Sequence, residues 1–288
     1  MNAQFGISTS ICAGEVKSVL RQTGGLSDED MAAGYLRLLE DFAGFAVEHR
    51  FETIEIEFGF SIISADQLLL QQKQLKEIIR PFRTVCCHLP LGEINIAALN
   101  PEIRRASIAE TKMHVDLCTE LGISNLIMHP GSFAAMPDRY LLLEGETKAA
   151  AGQSVFEISS YCEHKHMELS LENLHCGEPF YHKPEEYDML IRRGIGMAVD
   201  TLHAFTSGVE PLDFIARSGE RITEIHLTDG KLGDPYSDCP VGKGMVDCLG
   251  ILRKLEDMEF KGRIILEVLS REALIESKRF LVENGYMR

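Results

Sequence analysis

Three histidines and three acids stand at the ends of six short apolar segments of this chain. They are His88, His129, Glu172, Asp200, His226 and Glu267. Burying one carboxylate without a partner costs several kcal/mol even after the surroundings relax. Packing alone does not account for six such groups, so we interpret them as parts of one polar site.

The chemistry that suits this set is the binding of a divalent metal ion. Carboxylate and imidazole groups together favour zinc, manganese, cobalt or iron over calcium, which prefers oxygen ligands. The 8 cysteines are scattered and form no CxxC pair. This pattern favours reduced, mostly buried thiols over a disulfide framework or a structural zinc site.

The segments that must position these groups alternate between strand-like and helix-like patterns. Strands are predicted at residues 5–11, 53–58, 84–89, 125–129, 168–172, 196–200, 222–227 and 263–268. Helices are predicted at residues 28–50, 65–82, 101–121, 147–164, 185–193, 246–258 and 272–284. Asn100 before Pro101 marks a helix start, and Gly122 marks the end of the same helix.

Eight strand–helix units within 288 residues predict a single (β/α)8 TIM barrel that spans residues 1–288. An open doubly wound sheet is the alternative. Its dinucleotide-binding form is disfavoured because the first βα turn lacks a GxGxxG motif, so we expect no nucleotide cofactor. In a barrel, all strands end at the same rim, and the six side chains should therefore surround one cavity.

Composition and charge limit the function further. Hydrophobic residues make up 45% and charged residues 25% of the chain, which excludes a disordered protein. No apolar run approaches the roughly 18 residues that span a bilayer, so we expect no membrane association. The net charge of -15 disfavours a nucleic-acid partner. The N-terminus shows no secretory signal, which predicts a cytoplasmic protein.

Several motifs around these residues resemble a known superfamily. They are His88-Leu89-Pro90, Met128-His129-Pro130-Gly131-Ser132, Leu171-Glu172-Asn173, Val199-Asp200-Thr201-Leu202-His203-Ala204, His226-Leu227-Thr228-Asp229 and Leu266-Glu267. In this order they resemble the xylose-isomerase-like TIM-barrel superfamily, and the DTxHA and HPGS segments are the most specific parts. That superfamily contains metal-dependent sugar isomerases and epimerases, and also the endonuclease IV class of abasic-site nucleases.

The resemblance implies roles for these residues. Glu172, Asp200, His226 and Glu267 are expected to bind the principal metal ion. In the sugar epimerases, Glu172 and Glu267 would also carry out the proton chemistry, and His203 would hold a substrate oxygen. In the nuclease branch, His88 and His129 would join Glu172 around a second metal ion; in an epimerase they are candidates for substrate binding.

One departure from the nuclease pattern favours the isomerase branch. Where the nucleases place an Asp-x-His that helps to bind a third metal, this chain has Tyr236-Ser237-Asp238. Together with the acidic charge, this departure favours an isomerase or epimerase of a small sugar, sugar phosphate or related keto-polyol. Such an enzyme would work through an enediolate intermediate. An abasic-site phosphodiesterase is the alternative, and a non-catalytic barrel is a third hypothesis.

Two further residues near the site have open interpretations. Asp229 is either an acid at the rim of the site or an aspartate that organises a turn. His175 follows the fifth strand and is expected to cover the site without binding metal. An oligomer is compatible with the sequence, but no segment identifies its interface.

Overall fold

The computed structural model describes residues 3–12, 27–58, 63–92, 94–132, 143–175, 177–178, 180–234 and 239–288. Eight parallel strands form a closed barrel in sequential order, and the last strand pairs with the first. The strands are β1 (Gln4–Ser8), β2 (Thr53–Glu57), β3 (Thr84–His88), β4 (Asn125–Met128), β5 (Glu168–Glu172), β6 (Gly196–Asp200), β7 (Ile222–Leu227) and β8 (Arg263–Leu266). The predicted (β/α)8 barrel is confirmed.

Helices connect successive strands on the outside of the barrel. Within the described residues they are α1 (Asp28–Glu48), α2 (Ala65–Leu70), α3 (Gln72–Ile79), α4 (Pro101–Leu121), α5 (Glu144–His164), α6 (Asp188–Arg192), α7 (Thr201–Thr206), α8 (Pro211–Ser218), α9 (Cys248–Asp257) and α10 (Arg271–Glu283). None of these helices combines the length and apolar character that crossing a membrane requires.

Local sequence signals explain where several helices begin and end. The Oδ1 atom of Asn100 accepts the backbone N–H of Glu102 at 2.9 Å, which caps α4. The same helix ends at Gly122, whose φ of 78° lies in the left-handed region that glycine adopts without strain. Both predicted boundaries of this helix are therefore confirmed.

Other boundaries differ from the prediction for physical reasons. The predicted helix 65–82 is interrupted at Gln71, whose φ and ψ of -102° and 11° separate α2 from α3. β1 stops at Ser8, since residues Thr9–Cys12 form a 3₁₀ turn. Helices α7 and α8 were not predicted because each is shorter than three turns, and Gly208 and Pro211 separate them.

The barrel interior contains polar side chains in addition to apolar ones. In β2, the alternation of side chains sends Ile54 and Ile56 to one face and Glu55 to the other. Arg263 on β8 donates to Oδ1 of Asn125 on β4 at 3.0 Å. These strands lie on opposite walls of the barrel, so this contact passes through the interior.

Candidate metal centre

Glu172 lies at the centre of the candidate site, at the carboxyl end of β5. Its Oε2 atom is 3.0 Å from Nε2 of His88 and 3.0 Å from Nε2 of His129. Its Oε1 atom is 3.2 Å from Nδ1 of His226 and 3.4 Å from Nδ1 of His203. One buried carboxylate is therefore in contact with imidazoles from three other strands and from α7.

The structure brings all six predicted strand-end groups into two overlapping clusters. Ligand atoms of Glu172, Asp200, His226 and Glu267 all lie within 4.8 Å of one another. Ligand atoms of His88, His129 and Glu172 satisfy the same limit. Each group could hold a metal ion, and Glu172 belongs to both.

The side chain of Asp200 is held by the strand end on which it stands. It caps α7 by accepting the backbone N–H of His203, and its Oδ2 accepts the hydroxyl of Thr228 at 2.9 Å. The amide of Asn173 bonds both the N–H and the carbonyl of Asp200. Burial raises the pKa of Asp200, and the nearby charge of Glu172 adds to this effect. The charges of His203 and His226 act in the opposite direction and lower the pKa of this carboxyl group.

Two histidines are oriented by backbone carbonyls. Nδ1 of His88 donates to the carbonyl of Leu89 at 2.9 Å, and Nδ1 of His203 donates to the carbonyl of Asn173 at 3.0 Å. A carbonyl oxygen only accepts, so Nδ1 carries the proton in each ring. The Nε2 atoms of both histidines therefore remain for a metal ion or a substrate oxygen.

The electrostatics of the carboxylates depend on the surrounding imidazoles. Burial would raise the pKa of Glu172, but the charges of His226 and His129 and a hydrogen bond from His203 keep it well below its usual range. Burial also opposes ionisation of Glu267, and His226 lowers its pKa in the same way. Both carboxylates therefore stay negatively charged at neutral pH.

The carboxylates in turn raise the pKa of two of the imidazoles. Burial would lower the pKa of His88, but the hydrogen bond and charge of Glu172 outweigh it and raise the pKa to about 9. The pKa of His203 rises to about 10 against the effect of burial, because Asp200 and Glu172 lie beside it. The carboxylates thus attract positive charge, which either protons or a divalent cation supplies.

His226 provides the test of whether a metal ion fits. Its Nδ1 atom is buried and has no hydrogen bond of good geometry. The same atom lies 3.0 Å from Oε2 of Glu267 and 3.2 Å from Oε1 of Glu172. A nitrogen ligand facing two carboxylate oxygens is an arrangement that a divalent cation satisfies, and the mixed N and O donors fit the predicted metals.

The site opens into a cavity of about 410 Å³, a size that suits a small molecule. The polar wall includes Glu57, His88, His129, Glu172, Asp200, His203 and Glu267. The apolar wall includes Leu91, Ile94, Ile96, Met128, Leu174 and Leu269. His175 also lines the cavity, with its ring centroid 5.3 Å from that of His203.

Asp229 lies outside both clusters. It is buried, and its carboxylate accepts the backbone N–H groups of Gly242 and Gly244 at 2.9 Å and of Val246 at 3.0 Å. These contacts favour the interpretation of Asp229 as an organiser of the loop between β7 and α9. The predicted departure from the nuclease pattern at residues 236–238 lies outside the described residues.

Sequence analysis missed several polar residues inside the barrel. Glu57 lines the cavity, its Oε1 atom is buried without a hydrogen bond, and burial raises its pKa to about 8. Glu55, Glu224 and Arg263 lie buried below the clusters. Glu55 and Glu224 had a signal in the sequence, because each stands two positions before a polar residue near the end of its strand, and side chains two apart share one face of a strand.

Comparisons with known proteins place the chain among related barrels. An uncharacterized protein of Methanocaldococcus jannaschii is 23% identical over 250 residues, which cover 82% of this chain and 81% of that protein. A probable endonuclease 4 of Thermosipho melanesiensis is 29% identical over 209 residues, 65% of this chain and 70% of that protein.

Among solved structures, a D-tagatose 3-epimerase-like protein shares the fold with a TM-score of 0.76 at 19% identity. The similarity covers 97% of this chain and 96% of that one. Residues 44–284 match the family described as xylose isomerase-like TIM barrel. The resemblance noted in the sequence is thus confirmed, and the chain belongs to the xylose isomerase-like TIM barrel family.

Proposed function

We propose that this protein is a metal-dependent isomerase or epimerase of a small sugar, a sugar phosphate or a related keto-polyol. The reaction would pass through an enediolate intermediate. Support comes from the family, from the shared fold with a D-tagatose 3-epimerase-like protein, and from a cavity of small-molecule size.

The observation that carries the proposal is a pair of carboxylates at one cavity. Glu172 at the end of β5 and Glu267 after β8 come from different walls of the barrel, and both line the cavity. In this proposal, one carboxylate would remove a proton from the carbon next to a sugar carbonyl, and the other would return a proton. Return to the opposite face gives an epimer, whereas return to the neighbouring carbon gives an isomer.

The remaining ligands and imidazoles have supporting roles in this proposal. Glu172, Asp200, His226 and Glu267 would hold a divalent ion such as zinc, manganese, cobalt or iron. When bound, the ion supplies Lewis-acid stabilisation of the negative charge that develops on substrate oxygens. His203 offers its Nε2 atom to a substrate oxygen, because Nδ1 is committed to a backbone carbonyl.

Two alternative roles are open to His88 and His129 within the same proposal. They either bind substrate oxygens at the cavity wall or, together with Glu172, hold a second metal ion. The two roles differ in metal stoichiometry. Alanine in place of His88 distinguishes them, since loss of metal content indicates a ligand, whereas weaker substrate binding at unchanged metal content indicates a substrate contact.

The broader predictions of the sequence accompany this function. A small carbohydrate is the expected partner, and the charge of -15 argues against nucleic acid. A cytoplasmic location, a single domain over residues 1–288 and an oligomeric state compatible with the sequence remain predictions.

The test is solvent-proton exchange. The metal-loaded protein is incubated in heavy water with a panel of ketoses and their phosphates, and substrate carbons are monitored by NMR. We expect deuterium to enter next to the carbonyl of one substrate class, and Glu267→Gln to lose this exchange while retaining the fold and some metal. Exchange that is unchanged in Glu267→Gln would contradict the role of that residue.

A second candidate function is supported by one cluster. His88, His129 and Glu172 form a complete three-ligand group, and a probable endonuclease 4 is among the relatives. About one metal ion per chain favours the isomerase, two are compatible with either function, and three favour an abasic-site phosphodiesterase. Metal-dependent cleavage of abasic DNA that Glu172→Gln abolishes would establish the nuclease and reject the isomerase.

A further inference from the structure

Four side chains that are unusual for a barrel core lie buried beneath the predicted metal ligands. They are Glu55, Cys86, Glu224 and Arg263. Barrel interiors are usually filled by branched apolar side chains, and each buried charge among them carries a desolvation cost. Glu224 lies on β7, two residues before His226, and therefore shares its face of the strand.

The two oxygens of Glu224 receive different donors. Oε2 accepts the Nε–H of Arg263, and Oε1 lies 3.2 Å from Nε2 of His226. A carboxylate only accepts hydrogen bonds, so the imidazole must donate its Nε2–H. In the neutral ring the other nitrogen then carries a lone pair, and Nδ1 is the atom that faces the oxygens of Glu172 and Glu267.

We infer that Glu224, anchored by Arg263, is a positioning residue that holds His226 in the tautomer whose Nδ1 atom binds the metal ion. The inference rests on the proposed function, because it takes His226 as a ligand. Histidines that bind metal commonly donate their second N–H to a carboxylate, which fixes the ring and strengthens the ligand. Here the carboxylate comes from the ligand's own strand.

The arginine is itself held in place across the barrel. Besides Glu224, Arg263 donates to Oδ1 of Asn125 at 3.0 Å and lies 3.5 Å from Oε2 of Glu168. These partners stand on β4 and β5, opposite the strand of the arginine. The guanidinium is therefore bound by residues on both sides of the barrel. It donates to one oxygen of Glu224, and the other oxygen of Glu224 accepts from the imidazole of His226.

Glu55 is the competing acceptor for the same imidazole proton. Its Oε2 atom lies 3.4 Å from Nε2 of His226, but neither of its oxygens makes a hydrogen bond of good geometry. The distance from Glu224 is shorter, and that contact meets hydrogen-bond geometry. The geometry thus identifies Glu224 as the acceptor of the hydrogen bond that Nε2–H of His226 donates.

Glu224→Gln tests this assignment because it keeps the shape and removes one acceptor. The amide has a single acceptor oxygen. The guanidinium of Arg263 can only donate hydrogen bonds, so this oxygen will face the arginine. The amide NH2 group then faces Nε2 of His226 and stabilises the opposite tautomer, with its proton on Nδ1. We expect the affinity for Zn²⁺, measured by competition with a chelator, to fall about 10- to 100-fold.

Two matched variants separate this effect from general damage. Glu168→Gln makes the same chemical change next to the same arginine, but on the side away from His226, and should change Zn²⁺ affinity by no more than about twofold. Glu55→Gln removes the negative charge of the competing acceptor and should also have a small effect. Thermal unfolding of each metal-free variant reports on the fold.

A spectroscopic measurement follows the proton itself. In the zinc-loaded protein, the Nε2–H of His226 should give a downfield, slowly exchanging proton resonance, because it is buried and hydrogen-bonded. Glu224→Gln should remove or shift this resonance, and Glu168→Gln should retain it. If Glu224→Gln does not fold, this resonance in the unsubstituted protein decides the question, and its absence overturns the inference.

The outcomes are distinct. The inference is supported if Glu224→Gln folds and binds Zn²⁺ more weakly while Glu168→Gln and Glu55→Gln do not. Unchanged binding by Glu224→Gln, equal losses in Glu224→Gln and Glu168→Gln, or a larger loss in Glu55→Gln overturns it. An unsubstituted protein that binds no Zn²⁺ rejects the metal site and this inference together. Tight Zn²⁺ binding without proton exchange on any sugar rejects the proposed function and leaves the role of Glu224 in place.

Discussion

Two buried carboxylates near the same end of the barrel have opposite surroundings. Asp229, after β7, accepts backbone N–H groups from Gly230, Gly242, Gly244 and Val246 at 2.8 to 3.0 Å. Glu172, at the end of β5, is in contact with imidazole nitrogens instead. The first carboxylate is satisfied by the main chain of one loop, whereas the second depends on side chains that can exchange protons.

This difference distinguishes an acid held by main-chain donors from an acid whose neighbours could be replaced by a cation. Backbone amides have fixed partial charges and no proton to lose, so Asp229 has no need of a cation and instead holds a loop together. The imidazoles around Glu172 carry ionisable protons, so a metal ion can replace those protons. Burial alone therefore does not identify a metal ligand; the type of the neighbouring donor does.

The strongest test of the comparison is Glu172→Gln. The amide contributes no charge to either cluster, so we expect metal binding to fall sharply and proton exchange on substrate to fall about 100- to 10,000-fold. Metal analysis and NMR in heavy water measure the two effects. Retention of full metal content and exchange would show that Glu172 is no more functional than Asp229.

Asp229→Asn should give the reverse result. An amide nitrogen in place of an oxygen would face backbone N–H donors, so the free energy of unfolding should fall by about 2 to 3 kcal/mol. Urea denaturation of the metal-free protein measures this loss. Metal stoichiometry of the folded variant should equal that of the unsubstituted protein, and a change in stoichiometry would place Asp229 in the site after all.

The pH dependence of metal binding sharpens the comparison at His88. Its pKa is raised from 6.5 to about 9, so a metal ion bound by His88 would compete with a proton at lower pH. Metal affinity should therefore rise with pH, by about tenfold per unit for this proton, and level off near pH 9. Metal titrations across this range, with His88→Ala as the control, measure the slope. An equal slope in His88→Ala would assign the proton elsewhere.

Glu57 lies in a third kind of environment, and its substitution should have the smallest effect of those considered. It has neither the amides of Asp229 nor the imidazole contacts of Glu172, and burial raises its pKa from 4.5 to about 8. Between these values the folded state binds more protons than the unfolded state, so stability falls as pH rises.

Glu57→Gln should flatten this decline in the metal-free protein by up to about 1.4 kcal/mol per pH unit. Urea denaturation at several pH values measures the slope for both proteins. A slope that is unchanged in the variant would mean that Glu57 titrates normally in the folded protein.

Much of the fold was predictable because its signals are local. Strand β5 has the predicted bounds, since its alternating Leu169 and Leu171 are followed by the polar Glu172. The bounds of α4 follow from Asn100 and Gly122, whose preferences act over a few residues. The short helices between β6 and β7 were not predictable in this way, since they are too short to show a period.

The grouping of the candidate-site residues was predictable for a related reason. Parallel strands of a barrel end at one rim, so polar residues at strand ends, such as His88 and Glu172, could be assigned to one cavity without knowledge of any contact. The alternation within a strand also encodes the inward position of Glu57 and Glu224, but it does not reveal what lies opposite them.

The sequence by itself determined the barrel, its polar rim and the donor types that favour a divalent metal. Only the tertiary structure decided that Asp229 is satisfied by a loop more than ten residues away, and that Arg263 and His226 divide the oxygens of Glu224. The physical reason is that burial and hydrogen bonding depend on which walls of the barrel face each other. Register and closure of the barrel establish that arrangement, whereas residue type does not.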